Sequence, residues 1–200
     1  YGEEVAKVLK DNGVIKGIVT TGGKNIECGM LGAGLGLTLN TGFLRDTPIN
    51  LGKGIIADQH LSTNVPDIYT GGDVAEFYDS FLGDHNIMGT WNNSQGHGRV
   101  AGRNMAGAND VYDDVPHYTT TMFHTTMTAI GMTPETNPRV EGETLVDFEE
   151  EIYRRLFFDG EYLVGGVLIG DMKPRRGITK MIKSREPITD RRQFIEEVGS

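Results

Sequence analysis

The chain has 200 residues, 38% of them hydrophobic and 24% charged, which excludes a disordered polymer and allows one large domain or two small ones. A formal net charge of −9 without a long basic run disfavours nucleic acid as a partner, and no apolar stretch reaches the roughly 18 residues of a membrane span. Glycine, at 28 residues and with no Gly-X-Y period, predicts the tight turns and close backbone approaches that ligand-binding α/β proteins need.

In chain order, Val5, Ala6, Val8 and Leu9 recur at helical spacing, so a helix is expected over Glu3–Asn12 with Asn12-Gly13 as its stop. Val14–Thr20 reads as a strand, and the Thr21–Lys24 turn leads into a second short strand at Asn25–Glu27. The apolar, Gly-rich run Gly29–Leu37 is expected to be a buried strand ending in a loop. Its Gly32-Ala33-Gly34-Leu35-Gly36 is not a dinucleotide fingerprint, because no helix signal follows Gly36. Gly54–Asp58 and Asp67–Thr70 read as short strands, the second ending at Gly71-Gly72-Asp73 and followed by a Gly- and Asn-rich loop. Ser94–Ala106 reads as a helix with small residues at Gly98, Ala101 and Gly102. Asp110–Pro116 is an acidic linker.

Beyond that linker the pattern turns to strands, over Phe123–Ile130, Arg139–Phe148, Glu151–Phe158 and Tyr162–Ile169, with Asp159-Gly160 as a hairpin signal. Two helices then follow, one started by Pro174 and one capped by Thr189 or Asp190. The basic spots Lys173–Arg176 and Arg191-Arg192 are expected on solvated helix faces. The fold class is therefore α/β followed by α+β. Cys28 is the single cysteine, which excludes an internal disulfide and suits a reducing, cytoplasmic compartment. The acidic start is not a signal peptide and reads as a cut made inside a fold. The histidines show no metal-ligand spacing, so no metal site is assigned.

The densest chemical signal is Leu61–Asp73. Ile68 and Tyr69 are expected in a buried strand, Gly72 brings backbone close to a bound group, and Asp73 is placed at the strand's C-terminal end, where open α/β sheets bind ligands. A carboxylate there accepts hydrogen bonds from hydroxyls of a sugar-like chain, and a following helix or turn offers N–H groups to phosphate. A Gly-Asp turn with Asp73 as a cap is the plain structural alternative.

The run Thr63-Asn64-Val65-Pro66-Asp67-Ile68-Tyr69-Thr70-Gly71-Gly72-Asp73 resembles the second flavin-contacting motif of the pyridine nucleotide-disulfide oxidoreductases. The resemblance implies that Asp73 meets the ribityl chain of FAD, with Gly72 as its enabling neighbour and Val74 as a backbone contact. Trp91–Gly107 resembles the family helix whose N-terminus faces the flavin, which places Thr90 and Trp91 nearest the ring; Trp91 reads equally well as a core aromatic. The segment from Phe123 onward resembles the family's C-terminal interface domain, which often makes a homodimer.

The implied organisation is the tail of an NAD(P)-binding domain over 1–40, the C-terminal part of an FAD-binding domain over 41–114, and an interface or dimerisation domain over 115–200. A parent enzyme of this kind passes hydride from NAD(P)H to FAD and onward to an acceptor, leaning toward the NADH oxidase, nitrite reductase and ferredoxin reductase branches. No Gly-x-Gly-x-x-Gly turn and no paired redox cysteine is present, so no catalytic residue is assigned. The isolated chain is expected to be inactive without a missing N-terminal half or companion chain. A non-catalytic dimerisation or partner-binding module with an empty flavin site is the alternative.

Overall fold

A computed structural model of the chain describes residues 2–198, which divide into two compact units between Thr38 and Leu39. The first holds three antiparallel strands in the order β1-β2-β3: β1 (Val5–Asp11), β2 (Val14–Thr20) and β3 (Asn25–Glu27). The helix expected over Glu3–Asn12 is thus a strand, for a local reason. Asn12 and Gly13 both take positive φ, 47° and 83°, between the paired Asp11 and Val14. That is the two-residue turn whose twist matches flanking β-strands, so Asn-Gly reverses the chain here instead of ending a helix. The carboxylate of Glu3 accepts from the Lys24 ammonium and the Thr20 hydroxyl, which hold its pKa below the usual carboxylate range and tie the second hairpin shut.

Gly29–Leu37 forms no regular structure, contrary to the buried strand expected there. Met30, Leu35 and Leu37 are 85%, 95% and 81% exposed. Four glycines in that run leave too little side-chain area to offset the backbone entropy of an ordered strand.

In the second unit, β4 (Ile55–Ala57) pairs in parallel with β5 (Ala75–Asp79), and β5 pairs antiparallel with β6 (Asp84–Asn86). Helix α1 (Trp91–Met105) follows. Asp67–Thr70 contributes only the isolated bridge Ser62↔Tyr69, because Asp67 sits at φ +63° and Ile68 is exposed. The missing strand is β5, in the stretch read as loop. Its Ala75, Phe77 and Asp79 are buried and alternate with less buried Glu76 and Tyr78, the period of a strand. Ala57, Leu61, Phe77, Ala101 and Tyr112 pack together and seat α1 on the parallel pair.

The remaining strands are β7 (His117–Met122), β8 (Thr125–Gly131), β9 (Glu141–Asp147), β10 (Ile152–Asp159) and β11 (Tyr162–Ile169). They form one antiparallel sheet in the order β7-β8-β11-β10-β9. The β7–β8 hairpin was not expected; Phe123, at φ +55°, turns the chain where the sequence offers no Gly or Asn. Helices α2 (Arg175–Ser184), begun at Pro174, and α3 (Arg191–Glu197), capped by the Asp190 carboxylate on the Gln193 N–H, lie where expected.

Both helices cover one face of this sheet. Ile130, Leu156, Phe158, Leu168, Ile178, Ile182 and Ile195 make its core, each burial stabilising by about 1.5–3 kcal/mol. Arg154 is buried on the same face, its guanidinium 3.0 Å from the Asp171 carboxylate and donating to the Ile195 carbonyl. The architecture is therefore an α/β region followed by an α+β region. Among the described residues, no helix is long and apolar enough to cross a membrane.

Candidate functional site

Gly72, Asp73 and Val74 form a single 3₁₀ turn that enters β5, so Asp73 precedes a strand instead of ending one. The reason is the conformation of Gly72, at φ +75°, which turns the chain immediately before the carboxylate. Asp73 is exposed, and its Oδ1 accepts a hydrogen bond from the Ser94 hydroxyl at 3.1 Å. Ser94 lies in the first turn of α1, so the carboxylate is held against that helix's N-terminus.

Thr90 caps α1. Its hydroxyl accepts from the Asn93 N–H at 3.3 Å, and its carbonyl accepts the first helical bond, from the Ser94 N–H at 3.0 Å. The N–H groups of Trp91 and Asn92 point beyond the helix end, where no intrahelical acceptor exists. Trp91 is 77% exposed and so takes no part in the core of this chain. Gly89 passes so close to Asp73 that a Cβ there would sit 3.7 Å from the carboxylate. Val74 is half-buried and its carbonyl backs onto Gly54, beside β4.

Four of the five residues singled out in the sequence thus converge: Gly72 and Asp73 on the turn, Thr90 and Trp91 at the helix start. Val74 continues the turn toward the sheet. An exposed carboxylate beside the unfilled N–H groups of a helix's first turn offers acceptors and donors at one place. That donor set suits a chain of hydroxyls, with negative charge favoured at the helix end.

Two residues that sequence reasoning passed over complete the arrangement, Ser94 and His97, three apart on one face of α1. His97 is fully buried, and its Nδ1 accepts from the Gly72 N–H at 3.2 Å. The rings of Phe77 and Tyr112 stand edge-on to it, centroids 4.5 and 4.4 Å away. Burial pushes the His97 pKa down from 6.5 to about 4. Tyr112 is buried beside it and donates to the Asn93 side chain at 2.8 Å; burial, then Asp114, drives its phenol well above the usual range. The available signal was the i, i+3 spacing of Ser94 and His97 downstream of a Gly-Asp turn.

The basic spots differ in kind. Arg191 and Arg192 engage Glu141, Glu143 and Glu196, whereas Lys173, Arg175 and Arg176 line open grooves beside Thr119, His117 and Asn92. Cys28 is a half-buried free thiol.

Residues 1–98 match the family model for pyridine nucleotide-disulphide oxidoreductase, and residues 118–186 match that for the rubredoxin NAD+ reductase C-terminal domain. An NADH-rubredoxin oxidoreductase of Clostridium acetobutylicum is 40% identical over 81 residues, 40% of this chain and 20% of that protein. A nitrite reductase [NAD(P)H] of Emericella nidulans is 24% identical over 217 aligned positions, 94% of this chain and 20% of that protein. The solved structure of a covalent putidaredoxin reductase–putidaredoxin complex matches with a TM-score of 0.83 at 14% identity, over 100% of this chain and 46% of that one, a likeness of fold. The chain thus spans about a fifth of the length of these curated relatives. With one model following the other along the sequence, residues 1–98 belong to the pyridine nucleotide-disulphide oxidoreductase family and residues 118–186 to the rubredoxin NAD+ reductase C-terminal domain family.

Proposed function

We propose that this chain is the C-terminal part of a flavoprotein that passes hydride from NAD(P)H to FAD and on to an acceptor. In it, residues 1–40 end the NAD(P)-binding domain, 41–114 form the C-terminal part of the FAD-binding domain, and 115–200 form the interface domain. The order of the two family matches, with the rubredoxin NAD+ reductase C-terminal domain over residues 118–186, supports the placing of the interface domain at the end of the chain. The observation that carries the reading is the Asp73 carboxylate, fixed by Ser94 beside the start of α1.

In this reading Asp73 accepts hydroxyl hydrogen bonds from the ribityl chain, and Gly72 removes the side chain that would stand in its way. Thr90 fixes where α1 begins, and the first-turn N–H groups of Trp91 and Asn92, with the exposed Trp91 side chain beside them, would lie nearest the flavin and favour negative charge on it. FAD, when bound, supplies the two-electron chemistry. The residues of this chain only bind and orient it, and the adenosine-binding glycine turn is supplied by another segment or chain.

The partner in the interface role is a second copy. Helices α2 and α3 cover one face of the five-stranded sheet, and the opposite face carries the rung Thr120–Met127–Ile169–Tyr153–Val146. Tyr118 and Val146 on that face are 52% and 47% exposed, an apolar surface of the sort that dimers cover.

The test is Asp73→Ala in the full-length protein, read by flavin absorbance and by FAD titration. Wild type is expected to carry flavin, and the variant to bind FAD about 10- to 100-fold more weakly, the worth of hydrogen bonds to a charged acceptor. A colourless wild type, or unchanged affinity in the variant, overturns the reading.

A further inference from the structure

Asp73 is held from two sides, and only one of them is at the surface. Ser94 bonds its carboxylate directly. One turn further along α1, the imidazole of His97 accepts the N–H of Gly72, the residue just before it. The close approach of the chain to the helix leaves little room at Gly71, where a Cβ would stand 3.1 Å from the Cβ of His97.

With Nδ1 accepting, the ring is neutral and its proton sits on Nε2. That Nε2 is buried and has no hydrogen-bond partner among the described residues. An apolar side chain would satisfy the surrounding core of Phe77 and Tyr112 without leaving a polar atom unpaired, so packing alone gives no reason for a histidine. What an apolar side chain cannot do is receive the Gly72 N–H.

We infer that His97 is a positioning residue for the flavin contact: its Nδ1 seats the Gly72 amide on α1 and thereby fixes Asp73 against the helix start. This rests on the proposed role of Asp73. The geometry yields a contrast between two replacements. The Oδ1 of asparagine lies near the place of Nδ1 and can accept the same N–H, whereas leucine fills the core without an acceptor.

The experiment uses the full-length protein as wild type, His97→Asn and His97→Leu, with three readouts. These are FAD affinity by titration, hydrogen exchange at the Gly72 amide of the flavin-free protein, and thermal stability. His97→Asn is expected to bind FAD within about twofold of wild type and His97→Leu about fivefold more weakly, the worth of one neutral hydrogen bond. Gly72 is expected to exchange faster in His97→Leu alone, while that variant melts no lower than His97→Asn. Wild-type affinity in His97→Leu, or equal loss in both variants, overturns the inference while Asp73→Ala still reports on the flavin site. A wild type that takes up no FAD overturns the functional reading and this one with it.

Discussion

Acidification between pH 7 and pH 4 should destabilise the fold through His97 in particular. The imidazole is fully buried, its Nδ1 is occupied by the Gly72 N–H, and burial lowers its pKa from 6.5 to about 4. In the unfolded chain the same group titrates near the usual histidine value. The unfolded state therefore takes up the proton first, and this contribution to stability is full well above pH 6.5, falls as the pH drops through 6.5 toward 4, and levels off as the pH falls below the folded-state value. The folded-state value of about 4 and the unfolded 6.5 give a loss of about 2 kcal/mol at pH 5 and about 3 kcal/mol at pH 4. Glu3, whose carboxyl Lys24 and Thr20 hold below the usual carboxylate range, also contributes stability that is lost on acidification, so the assay compares wild type with His97→Leu. Urea unfolding followed by far-ultraviolet circular dichroism at stepped pH gives the difference between the two proteins. It should move against wild type by the stated amounts. Parallel pH profiles would refute the argument, because they would mean that His97 is hydrated in the folded state or titrates at its ordinary value.

Two further predictions come from the α+β region. Asp171→Asn leaves the Arg154 guanidinium buried without its counter-charge and should cost about 2–4 kcal/mol, read by chemical unfolding; adding Arg154→Met should recover part of that loss. On the sheet face opposite α2 and α3, where a second copy is proposed to dock, Met127→Lys should leave the melting temperature of the folded chain nearly unchanged while shifting the proposed dimer of the full-length protein to monomer in analytical ultracentrifugation. A dimer that persists in that variant would assign the interface elsewhere.

Past the unexpected β7–β8 hairpin, the C-terminal region was legible because its signals are local and mutually consistent. Tyr162–Ile169 is a strand of uninterrupted β-formers and glycines, Asp159-Gly160 turns into it, and Pro174 and Asp190 start helices where such residues normally do. The N-terminal meander was not, because Val5, Ala6, Val8 and Leu9 satisfy a helical period over too few residues to exclude a twisted strand. Only the pairing of Asp11 with Val14 reveals Asn12-Gly13 as a hairpin turn. Similarly, Gly29–Leu37 has the apolar composition of a core strand but lacks the side-chain area to become one.

The candidate site shows a different division between what a sequence carries and what folding adds. Gly72 and Asp73 stand out as residue types, a turn and an acceptor, whereas Thr90 and Trp91 are marked only by the resemblance of Trp91–Gly107 to the family helix. Ser94 and His97 do not stand out, because a serine and a histidine inside a helix acquire meaning only from what lies opposite them. What lies opposite is set by β5, whose Phe77 seats α1 and brings the Gly72–Asp73 turn within reach of both side chains. The strand that sequence reading missed is thus the element that assembles the site. The core packing around Phe77 and the position of Asp73 are consequently one problem: a substitution that shifts α1 on β5 should disturb the carboxylate even where it touches none of the residues around it.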